Sequence, residues 1–180
     1  MNRFVIAEPN KCIGCRTCEV ACALAHPLGD GTAQSLSPIN FKPRLRLVKD
    51  LKTTAPVQCR QCENAPCVNA CPTKALVYRS GTVQLVKSRC IGCQTCVLAC
   101  PFGTMEVIQT PVAEQNLGSS TVRTTISVAH KCDLCIDVAS GPACIPACPT
   151  EALYIIDPAG LETTSNRRRE KTLTSMPQTR

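Results

Sequence analysis

Sixteen cysteines stand in this 180-residue chain, and they fall into four groups of four with none left over. The first group is Cys12, Cys15, Cys18 and Cys22; the second is Cys59, Cys62, Cys67 and Cys71, followed by Pro72. The third is Cys90, Cys93, Cys96 and Cys100, followed by Pro101; the fourth is Cys132, Cys135, Cys144 and Cys148, followed by Pro149. Thiols at this density can form disulfides, bind zinc or hold a multi-iron cluster. Three thiolates in one tight loop can each reach a different iron of a single cubane, while the fourth begins a turn that leads away toward a neighbouring cluster. A tetrahedral zinc site asks for two C-x2-C pairs separated by a ribbon or finger, and has no use for a third cysteine two residues further on. Disulfides ask for an oxidising compartment. The first ten residues, MNRFVIAEPN, lack the apolar stretch and cleavage site of a signal peptide, so a cytoplasmic protein with reduced thiols is expected. The spacing therefore reads as a [4Fe-4S] ligand set, repeated.

The third group, CIGCQTCVLACP, is the C-x2-C-x2-C-x3-C-P run of bacterial ferredoxins, and the others lengthen one gap or omit the proline. Eighteen residues lie between Cys71 and Cys90, enough for a strand, a turn at Arg79 to Thr82 and a second strand at Val83 to Val86. The second and third groups thus read as one two-cluster unit. Longer connections, 36 residues from Cys22 to Cys59 and 31 from Cys100 to Cys132, make the first and fourth groups pair with each other. The repeats PTKALVY, PFGTMEVI and PTEALYII each put an apolar strand after C-P, and Phe4 to Ala7 supplies a strand before the first group.

The fold class expected is α+β: tandem two-cluster bacterial ferredoxin-like units with short β-hairpins, short helices and long loops around iron-sulfur clusters. An outer unit takes residues 1–57 plus 122–160 and an inner unit residues 58–109. Residues 110–121 form a linker or insertion, as does the stretch His26 to Lys42, and residues 161–180 form a basic polar tail.

Composition points the same way. Aromatic residues make up 3% of the chain, so aromatic packing cannot dominate its interior. Its formal net charge is +7, but each oxidised cubane with four thiolates carries −2, so four clusters bring about −8 and nearly cancel it. The basic balance is thus cofactor compensation, and a nucleic-acid partner, which would want aromatic platforms, is not expected. No run reaches the ~18 apolar residues of a membrane span, so no direct membrane insertion is expected. Lys11, Arg16, Arg60, Arg89 and Lys131 flank the groups and can raise cluster potentials or simply face solvent. Gly14, Gly92 and Gly141 read as relief of backbone crowding, Met105, Val107 and Ile108 as core, and His130 as a surface or capping residue.

These residues resemble a known family, the four-cluster iron-sulfur electron-transfer subunits of molybdopterin oxidoreductases. Within it the likeness is to the small electron-transfer proteins that accompany formate dehydrogenase H in formate hydrogenlyase systems. It rests on MNRFVIA, CIGCRTCEVAC, the CENAPC stretch at Cys62 to Cys67, CPFGTMEV, and KCDLC with GPAC, and covers about residues 1–157. The resemblance implies nested ligand exchange. Cys12, Cys15 and Cys18 with Cys148 hold one cluster, and Cys132, Cys135 and Cys144 with Cys22 hold its neighbour. Cys59, Cys62 and Cys67 with Cys100 hold a third, and Cys90, Cys93 and Cys96 with Cys71 the fourth. All sixteen positions keep cysteine, so four [4Fe-4S] clusters are implied and none of the three-iron kind. The anchor segment of some respiratory relatives is not seen after the fourth group.

With every thiol committed and no nucleophile–base or paired-carboxylate pattern in the sequence, the chain reads as an electron carrier with no active site of its own. The resemblance implies a molybdopterin oxidoreductase catalytic subunit as partner, a formate dehydrogenase, with hydrogenase subunits as acceptor. A maturation factor for formate dehydrogenase and a freely diffusing polyferredoxin are the alternatives.

Overall fold

Val5 has no exposed surface, and it sits in the middle of a four-residue strand, β1 (Phe4–Ala7), whose sequence is FVIA. So short a strand needs a partner. It finds one 150 residues away in β8 (Leu153–Ile156), antiparallel, with Phe4 opposite Ile156 and Ala7 opposite Leu153. The computed structural model describes residues 2–28, 41–117 and 120–175. Of the stretch expected as a linker from His26 to Lys42, residues 29–40 lie outside the described residues, as do residues 176–180 of the tail.

The β1·β8 pair is repeated by β4 (Leu76–Arg79) and β5 (Thr82–Leu85), joined by a two-residue turn at Ser80 and Gly81. Both turn residues have positive φ, 51° and 68°, the requirement of the tight turns that match strand twist. The correspondence between the two pairs continues beyond the strands. A 3-10 turn, Pro9–Lys11 or Lys87–Arg89, leads into Cys12 or Cys90. The Glu8 N–H donates to the Ala152 carbonyl and the Val86 N–H to that of Ala75, both at 2.8 Å. After the next two cysteines Arg16 and Gln94 turn left-handed (φ 62° and 64°) and start helices α1 (Thr17–Ala25) and α3 (Thr95–Ala99). The molecule is thus built twice from one plan, each copy centred on a buried Val and Leu: Val5 with Leu153, and Val83 with Leu76.

Around those aliphatic pairs the interior is filled by sulfur. Cys18, Cys22 and Cys144 pack with Val5, Leu45, Leu134 and Leu153, while Cys67 and Cys96 pack with Ala65, Leu76, Val83, Met105 and Ala129. A fully buried Leu or Val contributes about 1.5–3 kcal/mol, so the few aliphatic side chains of these two clusters make a thin apolar core for a chain of this length. Ordering of the sulfur-lined interior must supply much of the rest.

Two hairpins decorate this double unit. Strands β2 (Leu45–Lys49) and β3 (Thr54–Gln58) pair antiparallel, and Gln58 donates from Nε2 to the Val5 carbonyl at 2.8 Å, tying the hairpin to β1. Residues 110–117 and 120–121, expected as a linker or insertion, carry the outer part of a long ribbon formed by β6 (Glu106–Leu117) and β7 (Ser120–His130). A short helix, α2 (Pro66–Asn69), opens on Pro66 within the second cysteine group. The tail residues 161–175 belong to a helix, α4 (Pro158–Ser175), which none of the apolar pattern announced. Asp157 starts it by accepting the Gly160 N–H at 2.7 Å, with Pro158 at the first helical position. No residue of α4 is buried. Among the described residues no helix is long and apolar enough to cross a membrane.

Candidate metal centres

The loop geometry explains how the cysteines converge. Gly14 and Gly92, one residue before Cys15 and Cys93, have φ of +72° and +67°. At Gly92 a Cβ would lie 2.6 Å from the Ser127 Cβ and 2.8 Å from the Ser127 carbonyl oxygen, so β7 can cross this loop only over glycine. The loop then places three sulfurs on one concave side, and a fourth arrives from the partner group in the same copy of the plan.

One cavity is lined by Cys12, Cys15, Cys18 and Cys148, together with Ile13, Leu47 and Leu153. A second is lined by Cys59, Cys62, Cys67 and Cys100 with Met105 and Phe102, and a third by Cys71, Cys90, Cys93 and Cys96 with Leu76 and Ile91. The remaining thiols, Cys22, Cys132, Cys135 and Cys144, lie close enough that Cys144 feels the other three electrostatically. Every one of the sixteen cysteines is a free thiol.

Donors point at these sulfurs from the backbone. The Ala75 N–H approaches Cys71 Sγ and the Ala152 N–H approaches Cys148 Sγ, each at 3.3 Å and each four residues beyond its cysteine. Cys90 Sγ receives the Ala129 N–H from β7 at 3.3 Å, and Cys22 Sγ receives the Arg44 N–H at 3.2 Å. Threonine hydroxyls stand beside Cys15 (Thr17, 3.3 Å), Cys93 (Thr95, 3.4 Å), Cys71 (Thr73, 3.7 Å), Cys100 (Thr104, 3.5 Å) and Cys148 (Thr150, 3.6 Å). A compact set of four thiols, walled by aliphatic side chains and served by N–H and O–H donors, fits a 4Fe-4S cubane. Its ligand sulfurs are anionic and its potential is set by such bonds.

Burial sets the ionisation of the metal-free thiols. It pushes Cys18, Cys22 and Cys67 up to about 11 and Cys132 to about 12, and Cys144 further still. Cys15 and Cys93 are exposed, and the Thr17 and Thr95 hydroxyls hold them below the ordinary thiol value. At neutral pH the buried metal-free thiols therefore keep their protons, and iron binding there would release them, coupling metal binding to proton release and to folding.

The flanking polar residues fall differently from a sequence reading. Lys131 is buried at 5% exposure and donates from Nζ to the Cys132 carbonyl at 2.7 Å, so it braces the fourth group's backbone. Lys11 pairs with Glu8, and Arg60 lies 5.9 Å over the Phe4 ring. His130 is not on the surface: at 7% exposure, its ring Nε2 lies 3.0 Å from the Lys42 carbonyl oxygen. Burial, reinforced by Arg44, pushes His26 down to about 4, and its ring lies against Cys135. Nothing in the local sequence signals that contact, because the two residues are 109 positions apart.

Gln61 also escapes a sequence reading. It is 1% exposed; its Nε2 donates to the Cys132 carbonyl at 2.8 Å, and its Oε1 accepts the Val83 N–H at 2.8 Å. One side chain thus joins the second and fourth cysteine groups to β5.

Comparison with known proteins agrees with this chemistry. Residues 52–158 match the family described as 4Fe-4S dicluster domain, and residues 9–25 match a 4Fe-4S binding domain. The chain belongs to the 4Fe-4S dicluster family of iron-sulfur proteins. Within that class its likeness is to electron transport protein HydN of Escherichia coli (strain K12), 48% identical over 172 residues that span 96% of this chain and 98% of the relative. An iron-sulfur protein of Rhodospirillum rubrum is 43% identical over 87% of this chain and 83% of its own. A solved structure of the active-site complex BamBC of benzoyl coenzyme A reductase as isolated aligns at TM-score 0.42 and 19% identity, over 98% of this chain and 92% of that one. This is accordingly a HydN-like electron-transport iron-sulfur protein carrying 4Fe-4S clusters.

Proposed function

We propose that the chain is a four-cluster wire, in which the four sets of thiols described above hold one cubane each and electrons run through them in a fixed spatial order. Each bound cluster would accept and release single electrons near the potential its surroundings set. The protein's own residues do the rest: thiolates hold, N–H and O–H donors tune, and apolar side chains exclude water.

The order follows from which sulfurs neighbour which. Cys18 shares an apolar cluster with Cys22 and Cys144, so the set containing Cys12 adjoins the set containing Cys135. Cys132 lies close enough to Cys59 for the two to interact electrostatically, and Gln61 bridges them through the Cys132 carbonyl. Cys67 and Cys96 share the second apolar cluster, so the Cys59 set adjoins the Cys93 set. The two sets at the ends of this series are those that hold Cys15 and Cys93, the two exposed cysteines. The observation that carries this reading is a series whose two exposed cysteines stand one at each end, the cysteines of the middle sets being buried or partly buried. Ile13 beside Cys15 and Ile91 beside Cys93 are 67% and 66% exposed, apolar surface suited to a docked redox partner at each end.

Catalysis then belongs to the partners. The resemblance to subunits of molybdopterin oxidoreductases supports a formate dehydrogenase catalytic subunit as the donor and a hydrogenase as the acceptor, in a cytoplasmic assembly. The outer unit of residues 1–57 with 122–160 and the inner unit of 58–109 are the two halves of the wire. Anaerobic affinity purification of the tagged protein from its host tests this, with partners identified by mass spectrometry and iron counted in the same sample. Recovery of a molybdopterin formate dehydrogenase with an iron-loaded chain is expected; recovery of the iron-loaded chain alone would overturn the stable-subunit reading.

A further inference from the structure

His26 ends helix α1, and its backbone (φ −132°, ψ 63°) turns the ring inward to 9% side-chain exposure. Its Nε2 lies 3.2 Å from Cys135 Sγ and 3.4 Å from Asp133 Oδ1. Asp133 is itself fixed, by a close ion pair with the Arg44 guanidinium and by the Cys135 N–H donating to Oδ1 at 3.0 Å. Resting on the four-cluster reading above, we propose that His26 is a potential-setting residue. Its Nε2–H donates a hydrogen bond to the Cys135 sulfur and raises the reduction potential of the cluster held by Cys22, Cys132, Cys135 and Cys144.

The tautomer follows from the partners. A cluster-bound thiolate and an ionised carboxylate are both acceptors only, so the nitrogen that faces both must carry the hydrogen. Asp133 and Arg44 hold the ring at this angle, which keeps the N–H on the sulfur in both redox states. Reduction adds one electron's negative charge, part of it on the ligand sulfurs, and a fixed donor stabilises that state more than the oxidised one. The proton stays on the imidazole throughout, and one electron from the wire's donor is all that is transferred.

The contrast with the other three sets makes the role specific. Each of those has a threonine hydroxyl beside a sulfur: Thr17 and Thr150, Thr104, and Thr73 with Thr95. Among the described residues no hydroxyl reaches Cys22, Cys132, Cys135 or Cys144, and His26 is the side-chain donor that does. The second position in the series is thus served by an imidazole where its neighbours have hydroxyls.

The test uses the full-length, iron-loaded protein and EPR-monitored redox titration of native, His26→Phe and His26→Gln forms. In His26→Phe one of the four midpoint potentials should fall by about 59 mV, a tenfold shift in the reduced-to-oxidised ratio for one electron. The other three should hold. His26→Gln, which keeps a side-chain N–H, should recover most of the shift, which a merely structural role would not predict. Four assembled clusters with four unchanged potentials in His26→Phe would overturn the proposal. Should His26→Phe lose iron, pulsed EPR on the reduced native protein labelled with 15N-histidine decides the matter. A histidine nitrogen coupling that survives His130→Gln and vanishes in His26→Gln is expected; a native spectrum without it refutes the bond. A native protein lacking four clusters would instead refute the wire reading itself, and its iron count reveals that separately.

Discussion

Replacing Gln61 by leucine should loosen the whole molecule, because this one amide links three separate pieces of chain. The substitution keeps the volume and removes both polar ends at a position 1% exposed. It leaves the Val83 N–H, on a fully buried β5 residue, with no acceptor, at a cost of about 1–3 kcal/mol for a stranded buried donor. The Cys132 carbonyl suffers less, since Lys131 Nζ still donates to it at 2.7 Å; losing one of two donors there costs about 0.5–1.5 kcal/mol. Together these give a loss of about 1.5–4.5 kcal/mol. With a urea dependence of about 2 kcal/mol per molar, the unfolding midpoint should fall by about 0.8–2.3 M. The assay is anaerobic urea unfolding of the iron-loaded protein, followed by loss of visible charge-transfer absorption and by far-UV circular dichroism. Asn69→Ala, which removes an exposed bond to Asn64, serves as the control and should stay within about 0.5 kcal/mol. A Gln61→Leu midpoint equal to that of native protein would refute the idea that this bridge couples the second and fourth cysteine groups.

Cys93→Ser should lower the iron content by about four per chain and weaken the fold, because cluster binding is part of folding here; iron analysis checks it, and a full complement of iron would sink the assignment of Cys93 as a ligand. Gly92→Ala forces a Cβ to 2.6 Å from Ser127 at a left-handed φ, so it should cost at least about 2 kcal/mol, whereas Gly141→Ala meets no atom within 4 Å and should cost about 1 kcal/mol for its φ of +76° alone. Both values come from the same urea experiment. Deleting residues 167–180 removes part of a helix with no buried residue, so iron content and urea midpoint should be unchanged; a drop in either would show that α4 supports the cluster-bearing body.

What the sequence makes legible follows from which forces act locally. The cysteine groups announce themselves because three thiols able to serve one centre lie within one loop. The hairpin of β4 and β5 is readable because two short apolar-bearing segments, Leu76 to Tyr78 and Val83 to Leu85, flank turn residues at Ser80-Gly81 within the 18-residue connection. Strand β1 is readable as an apolar FVIA, but its pairing with β8 is a tertiary fact, visible only through the loop lengths that ally the first and fourth groups. Strands β2 and β3 were not expected from the sequence: neither LRLVK nor TAPVQ alternates strictly, and Pro56 stands inside the second. Helix α4 had almost none: TTSNRRREKTLTS has no apolar stripe, and the helix stands on its Asp157 cap and its chain of polar residues. His26 and Gln61 were invisible for a different reason. Their partners, Cys135 and Cys132, are remote in sequence, and a lone histidine or glutamine carries no spacing to read.

Whether four separate cubanes sit in one chain and each passes single electrons is tested most directly by anaerobic reductive titration of the purified protein, with iron and acid-labile sulfide counted on the same sample. About sixteen irons, about sixteen sulfides and uptake of about four electrons per chain are expected, with EPR of the reduced protein showing interacting clusters. Zinc in place of iron, or an iron-loaded chain that takes up about two electrons or fewer at full reduction, would contradict it.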